Sequence, residues 1–254
     1  LNLQNSSGTQ LQKYHLDPKY AAINLLSGYE KNGISSILMD NASKTIGIGS
    51  KEERLEYYTQ VKPLLIIRLL PETIEYKEIG LWPKKYLNTG NSYDDPYAGA
   101  CFGKNNAVCV SFGADHNMYL YHDTSLRFSK QVKSNYINTF EPYPDDKLFD
   151  MMYLREYMQT EPKYLDVIFD PWNSMYYRIA KHPASNALSE LKIEKFWSVL
   201  VTDDELNVIG EGIFSFQYDP RVFIPTPYGI VLLKGNYPGS KEKTFALMKI
   251  SDHE

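Results

Sequence analysis

Two short apolar runs of period two, joined by a turn and followed at once by a second such pair, recur along this chain. Alternation of this kind sets one side of a strand against a core and the other outward, so each pair reads as a hairpin. It is visible in "SSILMDNASKTIGIG", "AVCVSFGADHNMYLYHDTSLRFSKQV" and "FWSVLVTDDELNVIGEGIF". First turns fall at Asn41-Ala42-Ser43, Lys104-Asn105-Asn106, Pro171-Trp172-Asn173 and Pro227-Tyr228-Gly229, about 60 residues apart. Second turns follow at Pro71-Glu72-Thr73, Asp123-Thr124-Ser125, Asp203-Asp204-Glu205 and Gly239-Ser240, and the N-terminus offers a partial unit turning at Asp17-Pro18. Two consecutive hairpins per repeat is the pattern of a four-stranded propeller blade.

The expectation is an all-β chain in which residues 1–254 form a single β-propeller domain. Five units are recognisable, at roughly 1–30, 34–83, 97–136, 163–214 and 221–251, the first of them incomplete. A β-sandwich is the alternative; it would space its strands similarly but without the double-hairpin period. Helical periodicity is confined to "PDDKLFDMMYLREYMQ", where Leu148, Met151, Met152 and Tyr153 follow Asp145-Asp146 as a capping pair.

The 254 residues are 43% hydrophobic and 23% charged, enough to bury a core without disulfides. A net charge of −4 and the lack of a basic block point away from nucleic acid. The longest apolar run, Leu64-Leu65-Ile66-Ile67, falls far short of the roughly 18 residues of a membrane helix. The chain starts at Leu1 in strand-like "LNLQ", without a signal peptide. The domain is therefore expected to be N-terminally incomplete, with any leader or lipid anchor upstream. Cys101 and Cys109 flank a turn. An odd-numbered loop centred on Asn105 sets them opposite each other, whereas a two-residue loop pairs Cys101 with Val110. Two small buried thiols or a cross-strand disulfide would both fit.

In "YLDVIFDPWNSMYYRIAKHP", Tyr164–Phe169 reads as an innermost strand and Met175–Lys181 as the second. Tyr176, Arg178 and Ala180 share one face of that second strand, Tyr177 and Ile179 the other. Both faces of a blade have neighbours, so Arg178 is expected as a structural clamp that ties carbonyls and a carboxylate of the adjacent blade. An anion-holding role at the channel mouth is the other reading.

The long connections, Pro83–Tyr97, Asn138–Pro162 and Pro183–Lys195, gather on one end of a propeller; short turns occupy the other. They carry Tyr86, Tyr93, Asp94, Asp95, Tyr97, Tyr143, Asp145, Asp146, Tyr153 and Tyr157. Aromatic rings beside carboxylates suit a glycan, a peptide or a partner protein. His116 and His122 bracket a strand whose six residues span about 20 Å, too far for a shared ion, and His15, His182 and His253 have no ligand spacing. Neither a metal nor a cofactor is expected. The motifs of nucleophile elbows, phosphate loops, zinc helices and dinucleotide folds are missing from the sequence. A Ser–His–Asp triad or paired glycosidase carboxylates need no fixed spacing, and Asp94, Asp95, Asp145 and Asp146 would be first candidates.

At "IFDPWNSMYYRIA", "FWSVLVTDDELNVIGEG" and "FIPTPYGIVLL" the chain resembles a family of uncharacterised Bacteroidetes lipoproteins, a domain of unknown function with six-bladed, TolB-like propeller character. The resemblance is best from Tyr164 to Ile250, through Asp170-Pro171, Tyr176-Tyr177-Arg178, Asp204 and Gly229. It implies six blades in a full-length protein, an outer-membrane lipoprotein of the cell envelope on the periplasmic or surface side, and membrane attachment only through a lipid anchor this chain does not carry. The expected function is non-enzymatic binding of a glycan, peptide or envelope protein through the long-loop face. The alternative is a hydrolase or lactonase-like enzyme at the central channel.

Overall fold

The structure, a computed structural model, describes residues 2–4, 10–13, 25–31, 34–41, 50–93, 98–147, 149–184, 196–215, 217–235 and 243–249. Strands in these residues form five antiparallel sheets. A two-stranded ribbon joins β1 (Asn2–Gln4) to β2 (Gln10–Lys13). Three four-stranded meanders follow. The first holds β3 (Leu25–Lys31), β4 (Ile34–Asp40), β5 (Leu64–Leu69) and β6 (Ile74–Ile79). The second holds β7 (Ala98–Phe102), β8 (Ala107–Phe112), β9 (Asn117–His122) and β10 (Ser125–Gln131), and the third holds β11 (Lys163–Asp170), β12 (Met175–Lys181), β13 (Phe196–Thr202) and β14 (Val208–Ser215). The last sheet has three strands, β15 (Tyr218–Thr226), β16 (Gly229–Lys234) and β17 (Thr244–Met248).

The first strand of each larger sheet packs on the first strand of the next: β3 on β7, β7 on β11, β11 on β15. First strands therefore lie innermost and the sheets radiate from them as the blades of a β-propeller. A sandwich would instead stack the faces of two sheets. Between the first three blades lies one apolar core, including Leu38, Val110, Phe112, Leu120, Val167 and Leu200. A second core, of Tyr177, Ile179, Trp197, Phe223, Ile230 and Leu232, joins the third blade to the fourth. The two faces of β12 thus pack on different neighbours.

The sequence placed two units wrongly. The first full blade begins at β3, and its inner hairpin closes between Lys31 and Ile34, not at Asn41-Ala42-Ser43. Asn41 instead opens the long connection from β4 to β5. The N-terminal ribbon turns between Gln4 and Gln10; Asp17-Pro18, like Gly239-Ser240, lies outside the described residues. The turns at Lys104–Asn106, Asp123–Ser125, Pro171–Asn173, Asp203–Glu205 and Pro227–Gly229 fall between strands as expected.

Among the described residues three α-helices interrupt the β pattern, all in connections on the long-loop face. They are α1 (Lys51–Gln60), α2 (Lys84–Thr89) and α3 (Met151–Thr160). Ser50 caps α1 in a reciprocal box: its hydroxyl accepts from the Glu53 amide, and the Glu53 carboxylate accepts from the Ser50 amide. Asp150, not Asp145 or Asp146, caps α3 by accepting from the amides of Met152 and Tyr153. No helix of the described residues is long and apolar enough to cross a membrane.

Candidate functional site

Arg178 stands at the seam between the second and third blades, wholly buried. Its Nε donates to Ser111 Oγ at 2.8 Å, and its Nη1 to the carbonyls of His116 (2.9 Å) and Val132 (2.7 Å). Its Nη2 reaches the carbonyls of Asp115 (2.5 Å), Asn117 (3.3 Å) and Phe112 (3.5 Å). The acceptors are five carbonyls and a hydroxyl of the neighbouring blade; Asp115 contributes its main chain and not the expected carboxylate. Burial lowers the guanidinium pKa to about 10, which leaves it charged at neutral pH.

The same face of the third blade carries a polar chain. Register pairs Arg178 with Leu200 and Leu200 with Glu211, so Glu211 shares the Arg178 side. Glu211 accepts from Ser134 Oγ (2.5 Å), Ser198 Oγ (2.6 Å), the Asn135 amide (2.9 Å) and Asn135 Nδ2 (3.0 Å). His182 Nε2 lies 2.9 Å from Ser198 Oγ, and its ring stacks on Tyr136 at 4.6 Å. His, Ser and Glu are the residue types of a hydrolytic triad, but their order differs. Ser198 gives its proton to Glu211, so His182 Nε2 has to donate to Ser198 and cannot serve as its base. Ser198 is also wholly buried, with no face for a substrate. This polar chain joins the third blade to the loop that follows the second.

The long-loop tyrosines pack inward. Tyr86, Tyr93, Tyr143 and Tyr157 are all buried and Tyr153 is half-buried. Tyr86 meets Tyr93 edge-on at 5.1 Å, and Tyr143 meets Tyr153 at 5.5 Å and Tyr157 at 5.0 Å. Three of the hydroxyls are occupied by main chain: Tyr86 accepts from the Ala114 amide, Tyr143 donates to Lys147 O and Tyr157 to Glu141 O. A bridge between Ser92 and Tyr143 ties the two loops together. These rings form the underside of the loop face, not an open platform. Asp94, Asp95 and Tyr97 lie outside the described residues.

Asp145 is half exposed and paired with Arg54 of α1 at 2.5 Å. The buried Arg54 also donates to Gly90 O, at the end of α2, at 2.7 Å. One arginine, which the sequence reading passed over, thus ties together the β4–β5, β6–β7 and β10–β11 connections. Asp146 is exposed. Among the described residues no group of three or more His, Cys, Asp or Glu is placed to hold a metal ion.

Beside these acids the same face exposes an apolar patch. Phe149, Met151 and Met152, at the start of α3, are 81, 71 and 66% exposed. The opposite, short-turn face holds a cleft of about 600 Å³ between the third and fourth blades. It is lined by the turn after β11 and the turn after β15.

These features define a radial β-propeller with buried polar seams, long loops at one end and a cleft at the other. A profile of the DUF4221 family, a domain of unknown function, matches residues 3–213, and the chain belongs to that family. Among solved structures it is similar to a DUF4221 member from Bacteroides vulgatus at 18% identity and a TM-score of 0.68, over 97% of this chain and 72% of that one. No curated protein matches the chain.

Proposed function

We propose that the chain is a non-enzymatic interaction propeller of the bacterial cell envelope, whose loop face takes a short peptide segment of a partner protein. The observation that carries this reading is the Phe149–Met152 patch. Three large apolar side chains stand mostly in water beside loops that Arg54 and the tyrosines hold in place. Unbranched Met adapts to varied apolar partners, and such patches mark interaction sites. A glycan is served less well there, because the rings that would stack on it face inward. The envelope location rests on the resemblance in the third and fourth blades.

A peptide-display selection on the purified protein tests the reading. Enriched peptides should carry an apolar anchor and lose at least about tenfold in affinity when Phe149→Ser and Met152→Ser are combined. Because both side chains are exposed, the melting temperature should hold. Enriched peptides indifferent to the double substitution, or no enrichment, would overturn it.

A further inference from the structure

The cleft on the short-turn face is framed by two turns that fix their own shape. In the first, Asp170 Oδ1 accepts from the amides of Trp172 (2.9 Å) and Asn173 (3.1 Å). Its Oδ2 accepts from Asn173 Nδ2 (2.8 Å) and the Tyr177 hydroxyl (3.0 Å). In the second, Thr226 Oγ1 donates to Gly229 O at 2.6 Å and accepts from the Tyr228 amide at 3.3 Å. Each turn presents an aromatic ring to water: Trp172 is 54% exposed and Tyr228 is 78% exposed. A propeller has no packing use for rings so far out, and Tyr228 itself lines the cleft.

The remaining lining is mixed in a specific way. Pro227, Met175, Ile230 and Leu247 supply apolar wall. The Asp170 carboxylate has its four acceptor directions filled, so it is not available to a ligand. Asn173 and Lys249 also line the cleft; with Nδ2 of Asn173 held by Asp170, its amide oxygen is the group left to accept, and Lys249 brings a donor. A ring platform, an apolar wall, one acceptor and one donor match a sugar ring, which has an apolar face and a rim of hydroxyls. The volume falls within the range of ligand sites for small molecules.

We propose that this cleft binds a neutral saccharide of one or two rings, stacked on Tyr228 and hydrogen-bonded by Asn173 and Lys249. The site is independent of the loop-face reading; either can fail alone. The test is a panel of neutral and acidic mono- and disaccharides, titrated against the protein by NMR or calorimetry. At least one neutral sugar should bind, with affinity falling at least about tenfold in Tyr228→Ala and retained in Tyr228→Trp. Tyr228 is exposed, so its truncation leaves the fold intact, as an unchanged melting temperature will show. Combined Phe149→Ser and Met152→Ser should leave sugar binding unaltered. No neutral sugar bound, acidic sugars alone bound, or affinity indifferent to Tyr228→Ala would each overturn the proposal.

Discussion

The guanidinium of Arg178 lies over the ring of Tyr164, its central carbon 3.3 Å from the ring centroid. Tyr164 in turn accepts from the Ser134 amide at 3.0 Å and meets His116 Nδ1 at 2.9 Å. A cation, a ring and a loop thus close one seam between blades. Removing the cation takes a charged donor away from five carbonyls and a hydroxyl at the seam. Arg178→Ala should cost about 3–5 kcal/mol, with a melting temperature lower by roughly 10 °C. Arg178→Lys should restore only part of this, since an ammonium cannot match a planar fork of five donors. Thermal denaturation checks both. Affinity for a selected peptide should stay unchanged at a temperature where the variant is folded. Lost binding at an unchanged melting temperature would show that Arg178 holds a ligand instead.

His116 and His182 are both held below the ordinary histidine pKa, chiefly by burial. In the unfolded chain each takes a proton near pH 6.5. The folded protein resists that proton, so the unfolded state binds more protons as the pH drops. The two histidines' contribution should therefore be full above about pH 6.5 and fall below it, against an opposite contribution from Asp166, whose pKa burial raises to about 6. Denaturant melts across this window check the sign, and combined His116→Gln and His182→Gln should flatten the slope. A pH dependence that the double substitution leaves unchanged, or steepens in the acid direction, would contradict it.

Cys101 and Cys109 stand directly opposite in register, both buried as free thiols. Burial is the main cause that raises both pKa values, so little thiolate forms at neutral pH. A thiol reagent should find neither in the native protein and two after denaturation. One or both reacting at once, or none after unfolding, would contradict this placement.

Gly229 has φ +131°, and a Cβ there would meet Met248 O at 2.3 Å. Gly229→Ala should cost about 1–3 kcal/mol, several degrees of melting temperature, because both the dihedral and the contact oppose it. The same change should weaken sugar binding by displacing Tyr228. An alanine variant with unaltered stability would mean that the turn is shaped otherwise.

The third blade was the most legible part of the chain. Asp170-Pro171 marks its inner turn through Pro's fixed φ and the Asp carboxylate, and β12 alternates cleanly between two neighbours. The first blade was misread because Asn32-Gly33, a strong hairpin dipeptide, was passed over in favour of Asn41. Helix α1 carried a readable sign as well, the Ser50-x-x-Glu53 spacing of a capping box, but its mostly polar sequence has little periodicity. The loop tyrosines could not be assigned inward or outward from sequence. Their fate depends on distant partners, as Arg54 shows by reaching Gly90 and Asp145, 36 and 91 residues away. The cleft was illegible for the same reason: its walls come from two different blades.

Amide hydrogen exchange of the protein, alone and with a selected peptide, locates the occupied face in one measurement. Slowed exchange should concentrate at the start of α3, around Asp150–Tyr153, and in the neighbouring long loops, with the turns at Pro171–Asn173 and Pro227–Gly229 unaffected. Protection confined to those short turns would place the partner at the opposite end of the propeller and contradict the account.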